Sequence, residues 1–142
     1  MSMSFFQRLR RLLGGEGAHQ PHSEEGEEER TTCRPISCLE ALESINFSGQ
    51  EKVLDLGSGT GILSIAALLL GAGQAWCVDI EAAAVKSCEL NCQLNRVNDK
   101  VVHTCGTLDT LQETDFDLIL ANIYGDILLD VATGLVAKAK PG

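Results

Sequence analysis

Four short, largely apolar runs set the frame: KVLDL at 52–56, QAWCVDI at 74–80, KVVHTC at 100–105 and FDLILAN at 116–122. Strands of this composition are buried on both faces, as in parallel sheets covered by helices. Helical patterns fall between and around them. In PISCLEALESI (35–45), Ile36, Leu39, Leu42 and Ile45 recur at helical spacing, and Pro35 suits a first turn. A second, mostly apolar helix is expected from Thr60 to Leu70, ended by Gly71. A third runs from Glu81 to Asn95 with Ala84, Val85, Cys88 and Cys92 inward, and a fourth from Gly125 to Ala139. The alternation predicts an α/β fold with a parallel sheet covered on both sides.

The folded part is expected to be residues 31–142. Before it, GGEGAHQPHSEEGEEER (14–30) holds five glutamates between 24 and 29 and almost nothing apolar, which marks a disordered linker. SFFQRLRRLL (4–13) has the makings of a short basic amphipathic helix, with a weakly docked terminus as the plainer reading. The longest apolar stretch, ILSIAALLLGAG, is too short for the ~20 residues a membrane span requires. The net charge of −9 argues against direct, sequence-independent binding of nucleic acid and permits a basic protein substrate.

VLDLGSGTG (53–61) carries the chemistry. Gly57, Gly59 and Gly61 fall where the first strand becomes the second helix, so a ligand can approach bare backbone and the positive end of the helix. A dinucleotide fingerprint needs its third glycine one residue later, where Ile62 stands, and a P-loop needs Gly-Lys followed by Ser or Thr. What remains is Asp55-x-Gly57-x-Gly59-x-Gly61, which looks like the first motif of class I methyltransferases that use S-adenosylmethionine (SAM). The second strand ends at Asp79 and Ile80, where a carboxylate can accept both ribose hydroxyls, or cap the next helix through its other oxygen. After the third strand, CGTLDTL places Gly106, Thr107 and Asp109 beside the expected adenine position. After the fourth, Asn122 of ANIYGD stands at the carboxyl end of a buried strand, where open α/β sheets hold their ligands.

Six cysteines, at 33, 38, 77, 88, 92 and 105, form no CxxC pair and read as reduced, mostly buried thiols of a cytoplasmic protein. Their spacing, with His19, His22 and His103, offers no zinc cluster, so no metal is expected.

Together, LDLGSGTGILSIAALLLGA, VDIEAAAVKSCELN, FDLILANI and the terminal KPG resemble the PrmA family of ribosomal-protein methyltransferases over residues 31–142. The resemblance implies a Rossmann-like parallel sheet and SAM as cofactor. It further implies transfer of methyl groups to lysines and the N-terminal amine of a large-subunit ribosomal protein. By motif position, Gly57, Asp79 and Asn122 would contact SAM, and Asn122 would also lie beside the amine. A further family threonine finds no clear match in RTTCRPISCLEALE, where Thr32 and Ser37 both remain open. The family pattern has an N-terminal substrate-recruiting domain and three further strands, so the chain is expected to be a fragment, its sheet truncated after the fourth strand and its helix. An uncovered fourth strand would then be an apolar edge.

Methyl transfer is an in-line displacement that rests on positioning and desolvation. With no His or Glu at the third and fourth strand tips, Asn122 and nearby carbonyls are expected to orient the amine, with its proton lost to solvent. Competing readings are a SAM-dependent methyltransferase of another protein or small molecule, or a non-catalytic SAM-binding module. A nicotinamide-linked oxidoreductase is disfavoured by the glycine spacing.

Overall fold

The computed structural model describes residues 35–123 and 125–141. The readings made for residues 1–30 and Thr32 lie outside this range, and of Ser37 only the backbone is described. In chain order the elements are α1 (Pro35–Glu43), β1 (Lys52–Leu56), α2 (Ile62–Leu69), β2 (Gln74–Asp79), α3 (Ala82–Leu94), β3 (Val101–Cys105), β4 (Leu118–Ala121) and α4 (Gly125–Lys138).

The four strands form one parallel sheet of order β3-β2-β1-β4. Alternation along β1 and β2 divides the core. Leu54, Leu56, Trp76 and Val78 point to one face, where they cluster with Leu108, Leu111 and Phe116, and α4 adds Val131 and Leu135. Trp76 and Phe116 meet edge to face at 5.4 Å, and the Lys52 ammonium lies 5.3 Å from the Trp76 ring. The other face carries Val53, Asp55, Ala75 and Cys77, all buried, beneath α2 and α3. α2 is buried almost throughout, which explains why its sequence is apolar on all sides.

The structure trims most expected boundaries by one or two residues, three of them for a visible reason. Gly61 has a left-handed φ of 82°, which keeps the chain out of the helix until Ile62 rather than Thr60. α3 begins at Ala82, with Glu81 still extended. β4 is shorter than its apolar run because Phe116 pairs with Ala139 beyond α4. Two short 3-10 turns, Asn98–Lys100 and Leu108–Thr110, have no periodic signature in the sequence. Among the described residues, β4 forms one edge of the sheet and no helix is long and apolar enough to cross a membrane.

Candidate cofactor site

The strand order reverses at β1 and β4, and their following helices leave toward opposite faces of the sheet. In open α/β sheets such a reversal leaves a crevice beyond the carboxyl ends of the strands. The glycine loop forms one wall and Asn122-Ile123 the other. Each glycine meets a different neighbour. A Cβ on Gly57 would stand 2.9 Å from the Asn122 carbonyl oxygen and 2.8 Å from Ile123 Cγ2, so the two walls touch only because this residue is bare. A Cβ on Gly61 would meet Cys88 Sγ at 2.5 Å, so its backbone lies flat against α3. Gly59 has nothing within 4 Å of that position and faces open space.

The loop is held by a dense set of bonds. Gly57 N–H and Ser58 N–H donate to the Val78 carbonyl at 2.8 and 3.2 Å, and Asn91 Nδ2 donates to the Thr60 carbonyl at 2.9 Å. Asp79 clasps it from β2: Oδ2 accepts from Gly59 N–H at 2.9 Å, and Oδ1 accepts from Glu81 N–H at 3.0 Å. Asp79 does not cap α3: the N-cap is Glu81, with no side-chain cap bond, and Asp79 braces the extended backbone ahead of the helix. The backbone bonds use one lone pair on each oxygen, which leaves capacity for a ribose. α2 begins with no side-chain cap, so the backbone donors of its first turn are left without a side-chain partner at the end of the glycine loop.

Asp55 takes a different place from the other expected contacts. Its residue is 1% exposed, beneath the loop rather than on its open surface. Oδ2 accepts from Ser64 Oγ at 2.7 Å, and Oδ1 is buried without a hydrogen-bond partner. Burial pushes its pKa from 3.8 up to about 6, against the lowering effect of Ser64. The neighbouring tips complete the rim. Ile80 is 72% exposed beside Asp79, an apolar plate at the mouth of the crevice. Gly106 N–H donates to the Asp79 carbonyl at 2.8 Å. Thr107 and Asp109 are exposed around the short turn that buries Leu108. Asn122 is exposed, with its backbone N–H bonded to the Leu56 carbonyl.

Sequence reasoning missed Ser64, which bonds Asp55, Asn91, which bonds the Thr60 carbonyl, and Ile123, whose side chain packs against Gly57. A lone serine inside ILSIAALLL was the available signal for the first. It also discounted a metal cluster on spacing. The fold nevertheless brings ligand atoms of Cys77, Cys88 and His103 to within 4.8 Å of one another.

A parallel sheet of this order, a glycine loop after its first strand and an acidic clasp from its second define the class I methyltransferase fold. A crystal structure of an RNA methyltransferase from Salinibacter ruber, bound to S-adenosyl-L-homocysteine, shares it with a TM-score of 0.67 at 22% identity. That match covers 77% of this chain and 72% of that one. The family model for ribosomal protein L11 methyltransferase (PrmA) matches residues 28–142, and the chain belongs to that family. A ribosomal protein L11 methyltransferase of Trichlorobacter lovleyi is 44% identical over 111 residues, which are 74% of this chain and 36% of the relative. The crystal structure of ribosomal protein L11 methylase from Lactobacillus delbrueckii subsp. bulgaricus matches with a TM-score of 0.66 at 30% identity, over 74% of this chain and 54% of that one. The chain thus spans about a third of the length of its curated relative.

Proposed function

We propose that residues 31–142 are the SAM-binding part of a protein N-methyltransferase acting on ribosomal protein L11. The observation that carries this reading is the open backbone at Gly59, clasped by Asp79 directly above the uncapped start of α2. The methionine end of SAM lies along Gly57, Gly59 and Gly61, with its carboxylate at the first turn of α2. Asp79 takes the ribose, Ile80 packs on adenine, and Gly106 and Thr107 close the far side. Asp55 supports the loop from beneath. SAM supplies an electrophilic methyl group, and Asn122 orients the incoming amine through its side-chain oxygen.

The family supports L11 as substrate, and the net charge of −9 favours a protein partner over nucleic acid. Cys77, Cys88, Cys92 and Cys105 are thiols, in keeping with a cytoplasmic setting.

Calorimetric titration of the chain with SAM tests the cofactor reading. Saturable binding is expected, weakened about tenfold or more in Asp79→Ala, as loss of a charged hydrogen-bond partner implies. Gly59→Ala should bind as weakly while remaining folded by circular dichroism. No binding by a folded chain, or binding that neither variant changes, would overturn it. Transfer of labelled methyl from SAM to L11 tests the substrate. Because a lysine amine has a reference pKa of about 10.4, the rate should climb from pH 7 to 9.5 with chemistry rate-limiting. A flat profile would contradict proton loss to solvent.

A further inference from the structure

We propose that Cys77, Cys88 and His103 form a binding site for one thiophilic divalent cation of the zinc type, on the underside of the glycine loop. The parallel register pairs Asp55 with Cys77 and Cys77 with His103, so all three lie in one row on one face of the sheet. α3 covers that row and presents Cys88 and Cys92, one turn apart and both fully buried. The ligand atoms of Cys77, Cys88 and His103 all lie within 4.8 Å of one another. In a tetrahedral zinc site, bond lengths of about 2.3 Å to sulfur and 2.0–2.1 Å to nitrogen place ligand atoms ~3.6–3.8 Å apart. Closing this group around a cation therefore asks for side-chain shifts of about an ångström, not a new backbone.

The chemistry of each member fits. His103 Nδ1 is buried with no hydrogen-bond partner, where buried polar atoms ordinarily have one. Burial also lowers the His103 pKa, which favours the neutral imidazole that ligates metals. Cys77 and Cys88 are both buried, and a cation held there would bind them as thiolates. Two thiolates and a neutral imidazole balance a 2+ charge, and two protons leave to solvent. Cys92, one turn along α3 from Cys88 and fully buried, is the candidate fourth ligand. The cluster also touches the cofactor site from below: Cys77 Sγ donates to Ser64 Oγ at 3.1 Å, Ser64 holds Asp55, and Cys88 Sγ seats Gly61. A bound cation would replace the proton that Cys77 donates to Ser64 and would hold Cys88 in place beneath Gly61.

The test is titration of the reduced full chain with Co2+, followed by Zn2+. One equivalent of cobalt should give thiolate-to-metal charge-transfer and tetrahedral d–d absorption. Zinc should bleach both, with about two protons released per ion. Cys77→Ser and His103→Gln should each weaken binding about tenfold or more, since even partners of metal ligands carry 10–100-fold effects. Cys105→Ser, on an exposed thiol outside the cluster, should change nothing. His103 is only half-buried, so His103→Gln tests the site even if Cys77→Ser fails to fold. A folded, reduced chain without these bands would overturn the proposal. So would bands that persist undiminished in His103→Gln. Either result would leave three packed thiols acting as small apolar side chains.

Discussion

Gly61→Ala is expected to destabilise the domain by about 2–5 kcal/mol, and Cys88→Ala to recover a substantial part of that loss. Two costs combine. A left-handed φ of 82° is strained for any residue with a Cβ, at about 1–2 kcal/mol. The new methyl would also meet Cys88 Sγ at 2.5 Å, an overpacking contact worth about 1–3 kcal/mol. Removing the sulfur leaves Cys88 Cβ at 3.5 Å, an ordinary contact, so only the backbone cost remains. A double-mutant cycle by urea denaturation, with chelator present, should return a favourable coupling of about 1–3 kcal/mol. Strict additivity would mean that Gly61 is not seated on Cys88. Gly57→Ala is expected to behave differently, because its Cβ meets the Asn122 carbonyl as well as the Ile123 side chain. Trimming Ile123 to alanine leaves the backbone contact in place, so no side-chain substitution should rescue it fully.

Stability should fall by roughly 3 kcal/mol as pH rises from about 4 to about 6, and Asp55→Asn should abolish that step. Burial raises the folded-state pKa of Asp55 from 3.8 to about 6. Between these values the folded chain keeps a proton that the unfolded chain has lost. The stabilisation present at low pH is then lost as pH rises and stays lost above 6. Asparagine has no proton to lose, so the difference between wild type and variant isolates this group from every other. Glu51 has the opposite sign. Hydrogen bonds from the Ser48 backbone and hydroxyl lower its pKa from 4.5 to about 2. Its contribution is present above about 4.5 and is lost as pH falls toward 2. Urea midpoints measured from pH 2 to 8 would show both limbs. A wild-type curve parallel to that of Asp55→Asn across pH 4–6 would refute the assignment to Asp55.

The sequence by itself determined the alternation of strands and helices, the parallel sheet and the position of the glycine loop. These are written in local quantities: apolar runs of strand length, helical periodicity, and glycines where a chain must turn left-handed. Gly57, Gly59 and Gly61 could be named as a group because spacing along the chain is preserved in the turn. What each of them does could not, since their neighbours come from β4 and α3, and Gly59 differs only in facing nothing. Asp79 was legible as a strand-tip acid, whereas its bond to Gly59 required β1 and β2 to be paired in register. Asp55 was grouped by its motif with the glycines that face the cofactor. Tertiary structure turned it inward, because a residue one step from Leu54 and Leu56 must face the opposite side of a sheet that α2 covers. The Cys77, Cys88 and His103 cluster lies furthest from sequence. Its members stand on three different elements, and only parallel register and the docking of α3 bring them together. Periodicity reports which way a residue faces along its own element. It carries no information about which element lies opposite.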